Sequence, residues 1–116
     1  MPKQTITVKD AHTRDLIRVR CMMFAGAFSG EAVFCVGDDD NPEGFHIGVS
    51  SRRHLFYPSG KPVGKDELYG TQLGRVSARV LQNDGDKILV SLPDDEVINI
   101  RPAQIVQTKE ERSHEA

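Results

Sequence analysis

At 116 residues the chain has the length of one domain, enough to bury roughly 65% of the surface its unfolded form would expose. Apolar residues at 38% and charged residues at 28% place it in the ordinary globular class and exclude a disordered chain or a bundle of membrane spans. A net charge of −2 and a pI near 6.1 also set it apart from domains that grip nucleic acid by bulk positive charge.

The dominant signal along the chain is period-two alternation, which predicts β-strands. Ile6 and Val8 alternate with Thr5 and Thr7 in a short first strand. Ile17, Val19, Cys21 and Met23 then alternate with Arg18, Arg20, Met22 and Phe24, giving a longer strand with one face for the core. Gly26 and Gly30 break it. Ala32 to Val36 is apolar on both faces, as a central or covered strand is. The run Gly37-Asp38-Asp39-Asp40-Asn41-Pro42-Glu43-Gly44 is a loop. After it Phe45, Ile47 and Val49 point one way and His46, Gly48 and Ser50 the other.

Leu55-Phe56-Tyr57 is a further short strand, and the stretch to Gly74 is irregular, with at most one helical turn around Asp66 to Tyr69. Val76, Ala78 and Val80 lead into Asn83-Asp84-Gly85-Asp86, the signal of a tight hairpin, and Ile88, Val90 and Leu92 form the returning strand. Pro93-Asp94-Asp95-Glu96 is a type I turn before the strand Val97 to Ile100. Residues 1–106 are therefore expected to form a single all-β domain, a small barrel or roll of about six to eight short antiparallel strands. Gln107 to Ala116 is polar and without periodicity and is expected to be a disordered tail.

Gly74 to Leu81, the Asp-Gly hairpin, Lys87 to Leu92 and Val97 to Val106 together resemble the later strands of SH3-like barrels of the Tudor and KOW type. Within Ile100-Arg101-Pro102-Ala103-Gln104-Ile105-Val106 the resemblance implies a 3₁₀ turn before a closing strand. Ile17 to Arg20 followed by Gly26 to Gly30 is similar to the opening of a KOW motif, with Val33 where that motif has glycine. No aromatic residue follows Tyr69, so the aromatic cage of methyl-reading Tudor domains is not supported. The resemblance implies a fold and a habit of binding, not a specific function.

Chemistry-bearing residues are scattered. His12, His46, His54 and His114 are not spaced for one helix face, and Cys21 and Cys35 form no Cys-x-x-Cys pair, so no metal or cofactor is expected. The acidic loop at 38–44 misses EF-hand spacing, because Pro42 falls on a ligand position. No Walker or Gly-x-Gly-x-x-Gly motif occurs, and Ser29 lacks the upstream glycine of a nucleophile elbow. The chain is read as a non-enzyme.

Charge by segment alternates: +2 over residues 1–37, −4 over 38–44, +4 over 45–80, −3 over 81–106 and −1 in the tail. Arg52, Arg53 and His54 beside Phe56 and Tyr57, with Lys61, Arg75 and Arg79, form the candidate binding surface, since such a mixture can hold phosphates and stack bases. A second candidate is the run Met22-Met23-Phe24 with Phe28, which is either core or an apolar surface. The leading expectation is a binding or adaptor module with a protein partner or self-association. The first alternative is an RNA- or DNA-binding SH3-like domain. The second is a small-ligand pocket or enzyme using Cys35, His46 or His54. With no apolar stretch long enough to span a bilayer and no secretory signal at the N-terminus, a cytoplasmic location without membrane attachment is expected.

Overall fold

The computed structural model describes residues 14–39 and 44–106. The predicted strand at Thr5 to Val8 and the predicted tail Gln107 to Ala116 lie outside the described residues. The strands are β1 Leu16–Ala25, β2 Glu31–Gly37, β3 Phe45–Ser51, β4 Leu55–Phe56, β5 Gln72–Asn83, β6 Ile88–Ser91, β7 Val97–Ile100 and β8 Ile105–Val106. All pair antiparallel, in the order β3-β2-β1-β5-β6-β7, with β4 added to β5 and β8 to β1. The result is an all-strand, nearly closed barrel, compatible with an SH3-like barrel and with only lone 3₁₀ turns as helical structure.

Closure rests on two strands longer than expected, β1 at 10 residues and β5 at 12. They pair with each other from Leu16↔Arg79 to Met23↔Gln72, and each divides its free edge between two partners. On β1, Met22 to Ala25 meet β2 while Arg18 and Val19 meet β8. On β5, Arg75 and Val76 meet β4 while Arg79 to Asn83 meet β6. A register shift between Val80 and Gln82 bends β5 where the barrel must curl. Pro102–Gln104 is the anticipated 3₁₀ turn. Gln104 fastens it by accepting from the Arg101 backbone N–H at 2.8 Å and donating to the Gly37 carbonyl at 2.8 Å.

The alternation read from β1 holds, since Ile17, Val19, Cys21 and Met23 are all buried. They meet Ala32, Phe34 and Val36 of β2, Val76, Ala78 and Val80 of β5, and Ile88, Val90, Ile98 and Ile100 of β6 and β7. The Asp84-Gly85 hairpin is tight, with the Asp84 N–H donating to the Lys87 carbonyl at 2.9 Å around Gly85 and Asp86. Gly85 there has φ +89°, which a β-branched residue tolerates poorly. Asp95 in the next turn also sits in the left-handed region, at φ 67°.

Three features refine the sequence expectation. Asp66 to Tyr69 forms no helical turn, within the expectation of at most one; the 3₁₀ turns are at Arg52–His54 and Pro102–Gln104. Val63 and Leu68 of the irregular stretch are nevertheless buried, so apolar anchors rather than a helix hold it down. Within the acidic loop, the Asp39 side chain is 6% exposed and paired with Arg101 at 2.5 Å and Lys87 at 3.8 Å. It ties the end of β2 to the far side of the barrel.

The third is β3, whose two faces the sequence separates without saying which is buried. Its apolar alternate faces solvent, with Phe45 56%, Ile47 58% and Val49 47% exposed, while Gly48 and Ser50 are buried and His46 is half-buried. Gly48 explains this orientation, because a Cβ there would meet Phe34 Cζ at 2.5 Å and the Asp94 carboxylate as well. The inner side of β3 lies so close to Phe34 and the β6–β7 turn that large side chains have room only outside. His46 fits by donating from Nε2 to Asp94 Oδ2 at 2.6 Å.

Candidate functional site

Cross-strand register assembles the outer face of the sheet into rows. Ile47 of β3 lies opposite Cys35 of β2, Cys35 opposite Met22 of β1, and Met22 opposite Leu73 of β5. In the next row Val49 lies opposite Val33, and Val33 opposite Phe24. Leu73 is 56% exposed, and Met22, Phe24, Val33 and Cys35 are half-buried. The two rows lie one two-residue step, roughly 6.6 Å, apart and cross up to three strand spacings of roughly 4.8 Å, an area on the order of 100 Å². With Phe45 and the exposed edge of β3 beside them, these rows are a candidate interaction surface. A cleft of about 280 Å³ opens within it, lined by Met22, Cys35, Leu73, Arg20 and Gln104.

Met22, Met23 and Phe24 thus divide: Met23 is core, whereas Met22 and Phe24 lie on this outer face. Phe28 is 73% exposed in the β1–β2 turn.

Below the apolar rows the same face turns basic. Arg20 lies directly opposite Arg75, Arg75 opposite Phe56, Arg18 opposite Ser77 and Leu16 opposite Arg79. Arg18 stacks on the Phe56 ring at 3.6 Å and donates to the Gly60 carbonyl at 3.2 Å. Arg79 donates to the Arg14 carbonyl at 3.0 Å. Arg75 Nη1 is buried and has no hydrogen-bond acceptor.

The residues singled out from sequence fall into separate groups. Phe56 and Arg75 come together on β4 and β5, and His54 and Arg79 line one cleft of about 150 Å³ with Leu16 and Ser77. Arg52 and Tyr57 converge on Asp66. Arg52 donates to its carbonyl and to that of Glu31 at 2.9 Å, and the Tyr57 hydroxyl donates to its carboxylate at 3.1 Å. Desolvation, then the Asp66 carboxylate, raises the Tyr57 hydroxyl above its ordinary value. These two residues hold the irregular segment in place. Arg53 and Lys61 are exposed.

Sequence reading missed Arg18, Arg20, Ile47, Val49 and Leu73 as site residues. The alternation that separates Arg18 and Arg20 from Ile17 and Val19 was visible, but their pairing with β5, more than fifty positions away, was not.

Cys35 and His46 belong to opposite faces of the β2–β3 hairpin, since Cys35 pairs with the outward Ile47 and His46 with the inward Val36. His54 lines a different cleft, so these three side chains share no site. Both cysteines are free thiols. Burial, and to a smaller extent Cys35, pushes the Cys21 thiol up to about 12, and burial raises Cys35 as well. Neither environment favours the nucleophilic thiolate. Among the described residues no group of three His, Cys, Asp or Glu side chains is placed to hold a metal ion. No described helix is long and apolar enough to cross a membrane.

Compared with family models, curated proteins and solved structures, the chain matches none. What the fold and the site define is a small β-barrel with an apolar and basic outer face.

Proposed function

We propose that the protein is a non-enzymatic binding module that self-associates through β3 and the apolar rows beside it. One observation carries this reading: β3 ends the sheet among the described residues, yet its seven residues, Phe45 to Ser51, include no proline and no Lys, Arg, Asp or Glu. Exposed sheet edges are ordinarily guarded by charges, prolines or bulges, and an unguarded edge is a template for another strand. A second copy supplies that strand through a two-fold axis, because antiparallel pairing of β3 with itself is self-complementary. Such pairing sets the two stripes of Phe45, Ile47 and Val49 side by side as one apolar surface.

The order in which β8 closes on β1 after a 3₁₀ turn supports an SH3-like barrel of the Tudor or KOW kind. A cytoplasmic setting accords with two cysteines that are free thiols. The nucleic-acid reading is weaker, because Arg52 and Arg79 are engaged with backbone carbonyls and Tyr57 with Asp66 instead of lying open in one patch.

Sedimentation equilibrium over a range of concentrations tests the proposal. The wild type is expected to show a monomer–dimer equilibrium that the Ile47→Lys, Val49→Lys double variant lacks. A wild type that stays monomeric, or a variant that dimerises equally well, would overturn it.

A further inference from the structure

Arg20 and Arg75 face each other directly across the β1–β5 pair, an arrangement in which like charges repel. Among the described residues no carboxylate pairs with either, and Arg75 Nη1 is a buried donor without an acceptor. Between them lies a cleft of about 130 Å³, walled by Pro58, Leu73, Gly74 and Val106. Two guanidinium groups without a carboxylate partner, set between apolar walls that strengthen charge interactions, are what an oxyanion site requires.

We propose that this cleft binds a single phosphomonoester group. Charge selects the class: a phosphomonoester carries about −1.5 to −2 at neutral pH, matching both guanidinium groups, whereas a carboxylate leaves one unneutralised. Geometry selects a single group over a polyanion track. Of the neighbouring cations, Arg18 is held by Phe56 and the Gly60 carbonyl and Arg79 by the Arg14 carbonyl, and the row on the other side is the apolar pair Met22 and Leu73. The bound anion bridges β1 and β5 and relieves the repulsion between their arginines. The site contains no residue of β3, although Leu73 and Arg20 also border the cleft in the apolar rows, and its test reads phosphate binding instead of self-association.

The test is titration of the full chain with inorganic phosphate, at constant ionic strength set by chloride, read by Arg Nε–H NMR shifts. Phosphate is expected to shift the Arg20 and Arg75 resonances saturably, and Arg20→Gln or Arg75→Gln to weaken binding at least tenfold. Binding is expected to weaken as pH falls from 7.5 to 5.5 and the dianion is protonated. In chloride alone each variant is expected to melt no lower than the wild type, because it removes a like-charge contact. That keeps a binding loss distinct from a folding defect. Phosphoserine in a peptide binding more than tenfold tighter than inorganic phosphate would identify the source as a phosphorylated protein; equal binding would identify a small free phosphate. Acetate binding as well as phosphate, an unphosphorylated oligonucleotide binding better, or retention of phosphate binding in the double variant would each overturn the assignment.

Discussion

The β5–β6–β7 meander and the β2–β3 hairpin use the same two-residue period to opposite ends. In the meander one apolar alternate of each strand is turned inward: Val76 and Val80, Ile88 and Val90, Ile98 and Ile100 are buried, with Arg75, Ser77 and Arg79 outside, while Leu73 and Val97 remain exposed. In β3 the apolar alternate Phe45, Ile47 and Val49 is outside, and His46, Gly48 and Ser50 are inside. Alternation sorts a strand into two faces; the neighbour each face meets decides which is buried. For β6 and β7 the neighbour is the common core. For β3 it is Phe34 and Asp94 at a separation that only glycine accommodates.

The largest expected effect lies on the meander side. Ile88→Ala removes a fully buried side chain and should cost about 2–5 kcal/mol by chemical denaturation, with no compensation from a surface residue. A cost below about 1 kcal/mol would place Ile88 at a yielding edge of the core and blur the contrast.

The close approach at β3 is expected to come next. Gly48→Val should destabilise by about 1–3 kcal/mol, through contact with Phe34 and Asp94 that the packed interior cannot relieve. A variant of unchanged stability would show that β3 stands away from the β6–β7 turn.

The two thiols sharpen the comparison of inner and outer faces. The folded Cys21 pKa is raised from 9.0 to about 12, so the protonated thiol stabilises the fold fully below about pH 9, and that contribution is lost as pH rises toward 12. One group in this window changes stability by about 1.4 kcal/mol per pH unit. Between pH 9 and 11 the wild type should therefore lose stability more steeply than Cys21→Ala, the difference being read from urea midpoints. Parallel slopes would mean that Cys21 titrates freely in the folded state.

Much of the barrel was legible in the chain. β1, β2 and the hairpin at Gly85 followed from local alternation and turn chemistry, and the turn at Pro102 from resemblance. What was not legible depends on tertiary distance. The length of β1 and β5 reflects their mutual pairing, which local pattern does not encode, and the burial of Asp39 depends on Arg101 and Lys87 arriving from the other side of the barrel. For the candidate site, Arg75 and Arg79 were found from their charge. Arg20 becomes meaningful only once it stands opposite Arg75. Arg52 and Tyr57 were read as surface because nothing nearby in sequence reveals that both end on Asp66.

Urea unfolding of the Ile47→Lys, Val49→Lys double variant, at a dilution where the wild type is monomeric, tests most directly whether the apolar stripe of β3 faces outward. Stability within about 1 kcal/mol of wild type with an unchanged m-value is the expected result, because single exposed positions shift stability by no more than about 0.5 kcal/mol. A loss of more than about 3 kcal/mol, or a chain already unfolded in buffer, would put Ile47 and Val49 in the core and contradict the binding surface built on them.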